Sequence, residues 1–307
     1  MAPAHPGNDR RSRLGSPLAP EPRARRGSGR RLVAALAGLL ALAATPAVAG
    51  SDYPWHESAA RPADTLSARV PPPAGFRRVP APAGSFAAWL RGLPMKPAGA
   101  PVRLHTGALK GRQDVHVAVV DIDVGRRDLQ QCADAIMRLR AEWLRATGKS
   151  HLIAFNDTGG GRPMSYARWA AGERPRVSGR SLAWSRRAAP DQSYAAFRRY
   201  MDVVFSYAGT HSLARELKSA RVHTLAVGDI FIKGGFPGHA VLVADLAEHP
   251  GTGERRFLLV QSYMPAQDIH VLKNPNAADG SPWYPLDFGL LLVTPEWTFP
   301  RTSLKRW

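Results

Sequence analysis

The stretch VGDIFIKGGFPGHAVLVADLAEHPGTGERRFLLVQSYMPAQ, residues 227–267, decides the fold. It reads as three strands and their joints. Gly228-Asp229 opens a short apolar strand over 230–232, and Lys233 to Gly238 form a Gly/Pro turn. His239 stands at the mouth of the run 240–244, whose Val and Leu content suits a buried strand. A polar Pro/Gly/Thr turn follows, then a strand over 257–260 that ends at Gln261. An antiparallel pairing about Pro250 sets His239 opposite Gln261 and Asp245 opposite Arg255. In that register the Gln261 amide oxygen accepts from the imidazole and sets its tautomer. A lone His at a strand start is also a common structural cap, and that reading stands beside the functional one.

Gly228-Asp229, Gly238-His239 and Gln261 together resemble the histidine half of papain-like enzymes, in particular CHAP amidases and NlpC-type peptidases. The resemblance implies a mainly antiparallel, mixed sheet packed against helices, an α+β fold. A longer set of segments, DLQQCADAIMRLRAEWL, YAGTHSLARELK, GDIFIKGGFPGHAVLV, QSYMPAQDIHVL, SPWY and TPEW, resembles a bacterial family known only as a domain of unknown function. That likeness supports the boundaries and implies no activity.

Papain-like order requires a nucleophilic cysteine at the start of a helix, upstream of the histidine. The chain has one cysteine, Cys132. Asp128 reads as an N-cap with Gln131 completing a capping box, predicting a helix over 128–147 that stops at Gly148. Leu129, Cys132, Ile136, Leu139 and Trp143 share one face at helical spacing. Carried over, Cys132 is the nucleophile, His239 the base and Gln261 the orienting residue. Gly235, Gly238 and Tyr263 are expected to contact substrate. Against this, Asp128 and Asp134 oppose ionisation of the thiol, the usual nucleophile motif is missing before Cys132, and a Cys on an apolar helix face commonly packs the core.

The rest of the chain frames this region. Residues 1–49 join an Arg/Pro/Gly-rich stretch, a thirteen-residue apolar run over 32–44 and Ala47-Val48-Ala49, the pattern of a signal peptide with a long basic n-region. The apolar run is shorter than the roughly 20 residues a membrane span takes. Export to the periplasm or outside the cell is therefore expected, with no membrane span in the mature chain. The Arg30-Arg31 pair resembles a twin-arginine signal. Residues 1–49 hold eight arginines, one aspartate and one glutamate, a net +6 of the chain's +18, which leaves +12. That excess suits an anionic envelope polymer or a cell-wall peptide as partner. No nucleic-acid module is recognisable, and no cofactor or metal site is read; a single cysteine excludes an internal disulfide and Cys-based zinc.

Residues 50–82, rich in proline, read as an extended arm and 83–307 as a single α+β domain. Within it, Ser85 caps a short helix, 115–122 is a strand, and 151–155 another. Asp121 and Asp123 share a strand face and read as a solvated strand end. Residues 158–162 lack the Lys-Ser/Thr of a phosphate loop. Residues 172–190 read as irregular. A helix over 193–207 precedes Gly209, and Thr210 caps a further piece over 211–217. His211 and His223 have no ligand-spaced partners. Two non-catalytic alternatives follow: a binding module for a wall peptide or glycan, in which His239, Gln261, Tyr263 and the Trp-rich tail make the contacts, or a structural protein of the envelope.

Overall fold

The structure, a computed structural model, describes residues 53–56 and 61–307. The expected signal peptide and its cleavage site lie outside them. The segment read as an extended arm holds a one-turn helix, α1 (Leu66–Arg69), and a strand, β1 (Arg77–Arg78). Helix α2 (Phe86–Arg91) is capped by Ser85, whose hydroxyl accepts from the Ala88 amide at 3.1 Å. Strand β2 (His116–Val119) is shorter than the sequence suggests, and helix α3 (Cys132–Ala146) follows it. Then come β3 (Ala154–Asn156), β4 (Pro163–Ser165) and helix α4 (Tyr166–Ala170).

The stretch read as irregular is a hairpin of β5 (Glu173–Ser178) and β6 (Ser181–Arg186). Val177, Leu182 and Trp184 supply its apolar side, and Gly179, at φ 53°, makes its turn. Arginines and serines between them hide the alternation. Helix α5 (Tyr194–Tyr207) is capped by Ser193. Helix α6 (Thr210–Glu216) takes Gly209, not Thr210, as its cap residue. The Thr210 hydroxyl instead donates to the Gly235 carbonyl at 3.2 Å.

The remaining strands are β7 (Lys218–Ser219), β8 (Ile230–Lys233), β9 (His239–Glu248), β10 (Arg255–Gln261), β11 (His270–Leu272), β12 (Tyr284–Pro285), β13 (Leu291–Val293), β14 (Thr298–Pro300) and β15 (Leu304–Arg306). The large sheet runs β2-β11-β10-β9-β8-β15-β7, with β1 on β9 and β12 on β10. Every pairing in it is antiparallel, where the resemblance allowed a mixed sheet. β8, β9 and β10 are consecutive neighbours, as their sequence order suggested.

The β9–β10 register differs from the expected one. Glu248, not Asp245, stands opposite Arg255, and Leu258 stands opposite Asp245. The loop 249–254 closes with the His249 amide on the Glu254 carbonyl at 2.8 Å, which moves the hairpin axis beyond Pro250. A bulge between Leu258 and Leu259 then shifts the pairing again, so Val260 faces Leu242. Asp245 is fully buried and held by Arg78 at 2.5 Å and Arg91 at 2.7 Å, which ties β1 and α2 to the sheet.

Strand side chains alternate between faces. Ala240, Leu242, Ala244, Leu258 and Val260 pack with Ala133, Ile136 and Leu139 of α3. Val241, Val243, Phe257 and Leu259 pack on the other side with Tyr284, Leu292 and Phe299. β9 is therefore covered on both faces, which accounts for its continuous apolar run. Among the described residues, no helix is long and apolar enough to cross a membrane.

Asp123 is exposed, as expected of a solvated strand end, but it is not free. Its carboxylate pairs with Arg138 and Arg198, both at 3.0 Å. Arg138 lies wholly inside, bonded also to Glu142 at 2.8 Å and to the Gln130 side-chain oxygen at 2.8 Å. This network pins the loop before α3. Removing Glu142 would strand the buried Arg138 charge, a loss of about 3–5 kcal/mol for such pairs.

Candidate active site

Helix α3 begins at Cys132, three residues later than the expected cap at Asp128 places it. The Asp128 carboxylate is engaged elsewhere: it accepts from the Ala266 amide at 2.7 Å and from Gln131 Nε2 at 3.0 Å. Gln131 is the cap residue, and Asp134 Oδ2 reaches back to accept its amide hydrogen at 3.1 Å. The thiol thus sits on the first helical residue, where the helix end favours negative charge. The bond between Asp128 and Ala266 also fastens the loop after β10 beside the Cys132 turn.

Cys132 lines a cleft of about 340 Å³ together with Asp134, Thr210, Gly235, Gly238 and Met264. Gly238 has no room for a side chain: a Cβ there would lie 2.3 Å from Thr210 Oγ1 and 2.6 Å from the Gly235 carbonyl oxygen. Gly235, at φ 132°, needs glycine for its backbone shape. Phe236 is 85% exposed and lines the same cleft, as does the exposed Met264. Neither apolar residue was singled out from the sequence.

His239 opens β9 and is only 1% exposed. It falls on the face of Val241 and Val243, away from α3. Its ring is walled by Tyr263 at 4.7 Å, Trp297 at 5.2 Å and Phe299 at 5.9 Å between centroids. Cys132 comes to the head of the same strand from the helix face, where the backbone amide of Ala240 favours its thiolate form. The expected residues therefore divide. Cys132, Gly235 and Gly238 form the cleft, whereas His239, Gln261 and Tyr263 form an aromatic-walled pocket at the end of the same strands.

His239 and Gln261 meet despite the shifted register: His239 Nε2 lies 2.9 Å from Gln261 Oε1. Three residues that sequence reasoning missed complete the pocket. Gln261 Nε2 donates to Glu296 Oε2 at 2.8 Å and faces His270 Nε2 at 3.3 Å. Glu296 Oε1 pairs with Lys110 Nζ at 2.7 Å, and both partners are buried.

Burial lowers the His239 pKa to about 4, against the opposing pull of its bond to Gln261. Burial likewise pushes the Cys132 thiol up to about 11, and the adjacent Asp134 adds to this; the amides of Ala133 and Ala240 oppose it. Burial also raises Asp134 well above the carboxylate range. The resting pair at neutral pH is a neutral thiol and a neutral imidazole.

Residues 66–306 match a protein family described as domain of unknown function 4846. The chain belongs to that family. The match takes in every element of the pocket and the cleft, from Lys110 to Trp297. Comparison with curated proteins and with solved structures found no match. In this family member, no three His, Cys, Asp or Glu side chains among the described residues converge to hold a metal ion.

Proposed function

We propose that this protein is a papain-like cysteine amidase or peptidase acting on peptides of the cell envelope after export. The observation that carries the reading is the arrival of Cys132 and His239 at the head of one strand. The thiol comes on the first residue of a helix, and the imidazole is fixed by a Gln on the next strand.

The chemistry follows from the charge states. A neutral thiol is a poor nucleophile, so attack and deprotonation must go together. Because the thiol and the ring approach β9 from different sides, Cys132 Sγ bonds to the amide carbon while its proton is relayed through a water at the head of the strand to Nδ1 of His239, the ring nitrogen not used by Gln261. The carbonyl oxygen becomes an oxyanion, for which the amides at the start of α3 are natural donors. His239 then gives the proton to the departing amine, leaving a thioester on Cys132. Water, deprotonated by the same ring, releases the acid and restores the thiol. Phe236 and Met264 on the rim favour a substrate with an apolar group beside the scissile bond.

A peptidyl vinyl sulfone, read by intact mass, tests this. Wild type should gain one adduct on Cys132, and His239→Gln should slow that addition by about 100-fold or more. Equal labelling of the two proteins would remove His239 as the base, and no adduct on either would favour the second reading, a peptide-binding cleft with a structural thiol, which the 5% exposure of Cys132 supports.

A further inference from the structure

The pocket behind His239 holds more polar groups than a structural cap needs. His270 Nδ1 lies 2.9 Å from the Asp268 carbonyl oxygen, which can only accept. The proton of His270 is therefore on Nδ1, and its Nε2 carries a lone pair. Glu296 Oε2, in an ion pair with Lys110, is also an acceptor. Both face Gln261 Nε2, so the two hydrogens of that amide have two acceptors. The amide cannot turn over without setting its oxygen against both. Oε1 is thereby directed at His239, and His239 must carry its proton on Nε2 to donate to it.

We propose that Glu296, backed by Lys110 and flanked by His270, is a positioning residue that holds His239 in the Nε2–H tautomer through Gln261. The lone pair of Nδ1 is then left for a proton from the nucleophile. The purpose of this device rests on His239 being the base of the amidase, but its geometry does not. The β13–β14 turn delivers it: the Thr294 amide bonds the Trp297 carbonyl at 2.8 Å, and the Trp297 amide bonds Thr294 Oγ1 at 3.1 Å. This tight turn presents Glu296 to Gln261 and Trp297 to the His239 ring.

Long-range 1H–15N spectra of protein labelled at histidine read the tautomer directly, with His239 assigned by comparison with His239→Gln. In wild type the pyrrole-type nitrogen of His239 should be Nε2. Glu296→Gln alone leaves Lys110 as a buried unpaired charge and endangers folding. The double variant Lys110→Met/Glu296→Gln removes both charges with little change of volume. In it, Gln261 is free to turn, and part of the pyrrole-type signal should move to Nδ1. A wild-type ring protonated on Nδ1, or a double variant with the wild-type pattern, would overturn the proposal. The resting protein is measured, so the two readings fail separately. Wild type inert toward every amide, but with a tautomer that moves in the double variant, would remove the hydrolase and keep the positioning device.

Discussion

His239 Nε2 and Gln261 Oε1 lie 2.9 Å apart inside the protein, joining the first residue of β9 to the last residue of β10. The bond spans a hairpin whose register is offset by a bulge, so it is made by side chains and not by direct cross-strand opposition. Replacing Gln261 by Leu keeps much of the volume but leaves the His239 donor without a partner. A stability loss of about 1–3 kcal/mol is expected in denaturant unfolding. Labelling of Cys132 by the vinyl sulfone should fall in step.

Two buried neutral histidines make the fold sensitive to acid. The folded-state pKa is about 4 for His239 and about 3 for His270, both below the ordinary 6.5. Their contribution is therefore complete above pH 6.5 and is lost as pH falls through 4 and 3. Between pH 6 and 4, stability should fall by up to about 1.4 kcal/mol per unit for each histidine. The slope in His239→Gln should be shallower than in wild type; equal slopes would contradict the burial argument.

The thiol gives a second pH signature. With its pKa raised to about 11, the thiolate fraction of Cys132 should grow about tenfold per pH unit between 7 and 10. Iodoacetamide alkylation of the folded protein should follow that slope. A flat rate across this range would indicate a preformed thiolate–imidazolium pair instead.

Asp134 has one oxygen on the Gln131 amide and a second, buried, without a partner. A protonated carboxyl resembles an amide in shape and charge. Asp134→Asn should therefore melt close to wild type, while Asp134→Ala loses the cap and about 1 kcal/mol. Comparable destabilisation in both would mean that the carboxyl is ionised in the fold.

Phe236 is a surface side chain by burial, so Phe236→Ala should change stability by no more than about 0.5 kcal/mol. If it contacts substrate, KM should rise with kcat little changed. An unchanged KM would move substrate away from this rim.

Much of this framework was legible in the sequence. The continuous apolar runs at 230–232, 240–244 and 257–260 gave three neighbouring strands, because burial on both faces leaves a run without polar interruption. The apolar stripe of α3 gave its buried side for the same reason. The helix start was misplaced because Asp128, a good cap in isolation, is drawn to Ala266, 138 residues away. The register failed because neither a bulge nor a six-residue loop closure is written in hydrophobic pattern. Glu296 and Lys110 carried no local signal, since their contacts span 35 and 186 residues. His270 had one, a polar residue inside the apolar run DIHVL, and the same reasoning that selected His239 could have selected it.

Turnover by Cys132 is the central claim, and product release tests it most directly. Wild type and Cys132→Ala, matched by melting curve, are incubated with peptides released from the cell envelope, and new amino termini are quantified. Wild type should generate them and the Ala variant should lose at least about 1,000-fold of the rate, as removal of a covalent nucleophile does. Equal release by the two proteins would contradict the assignment of Cys132 as nucleophile.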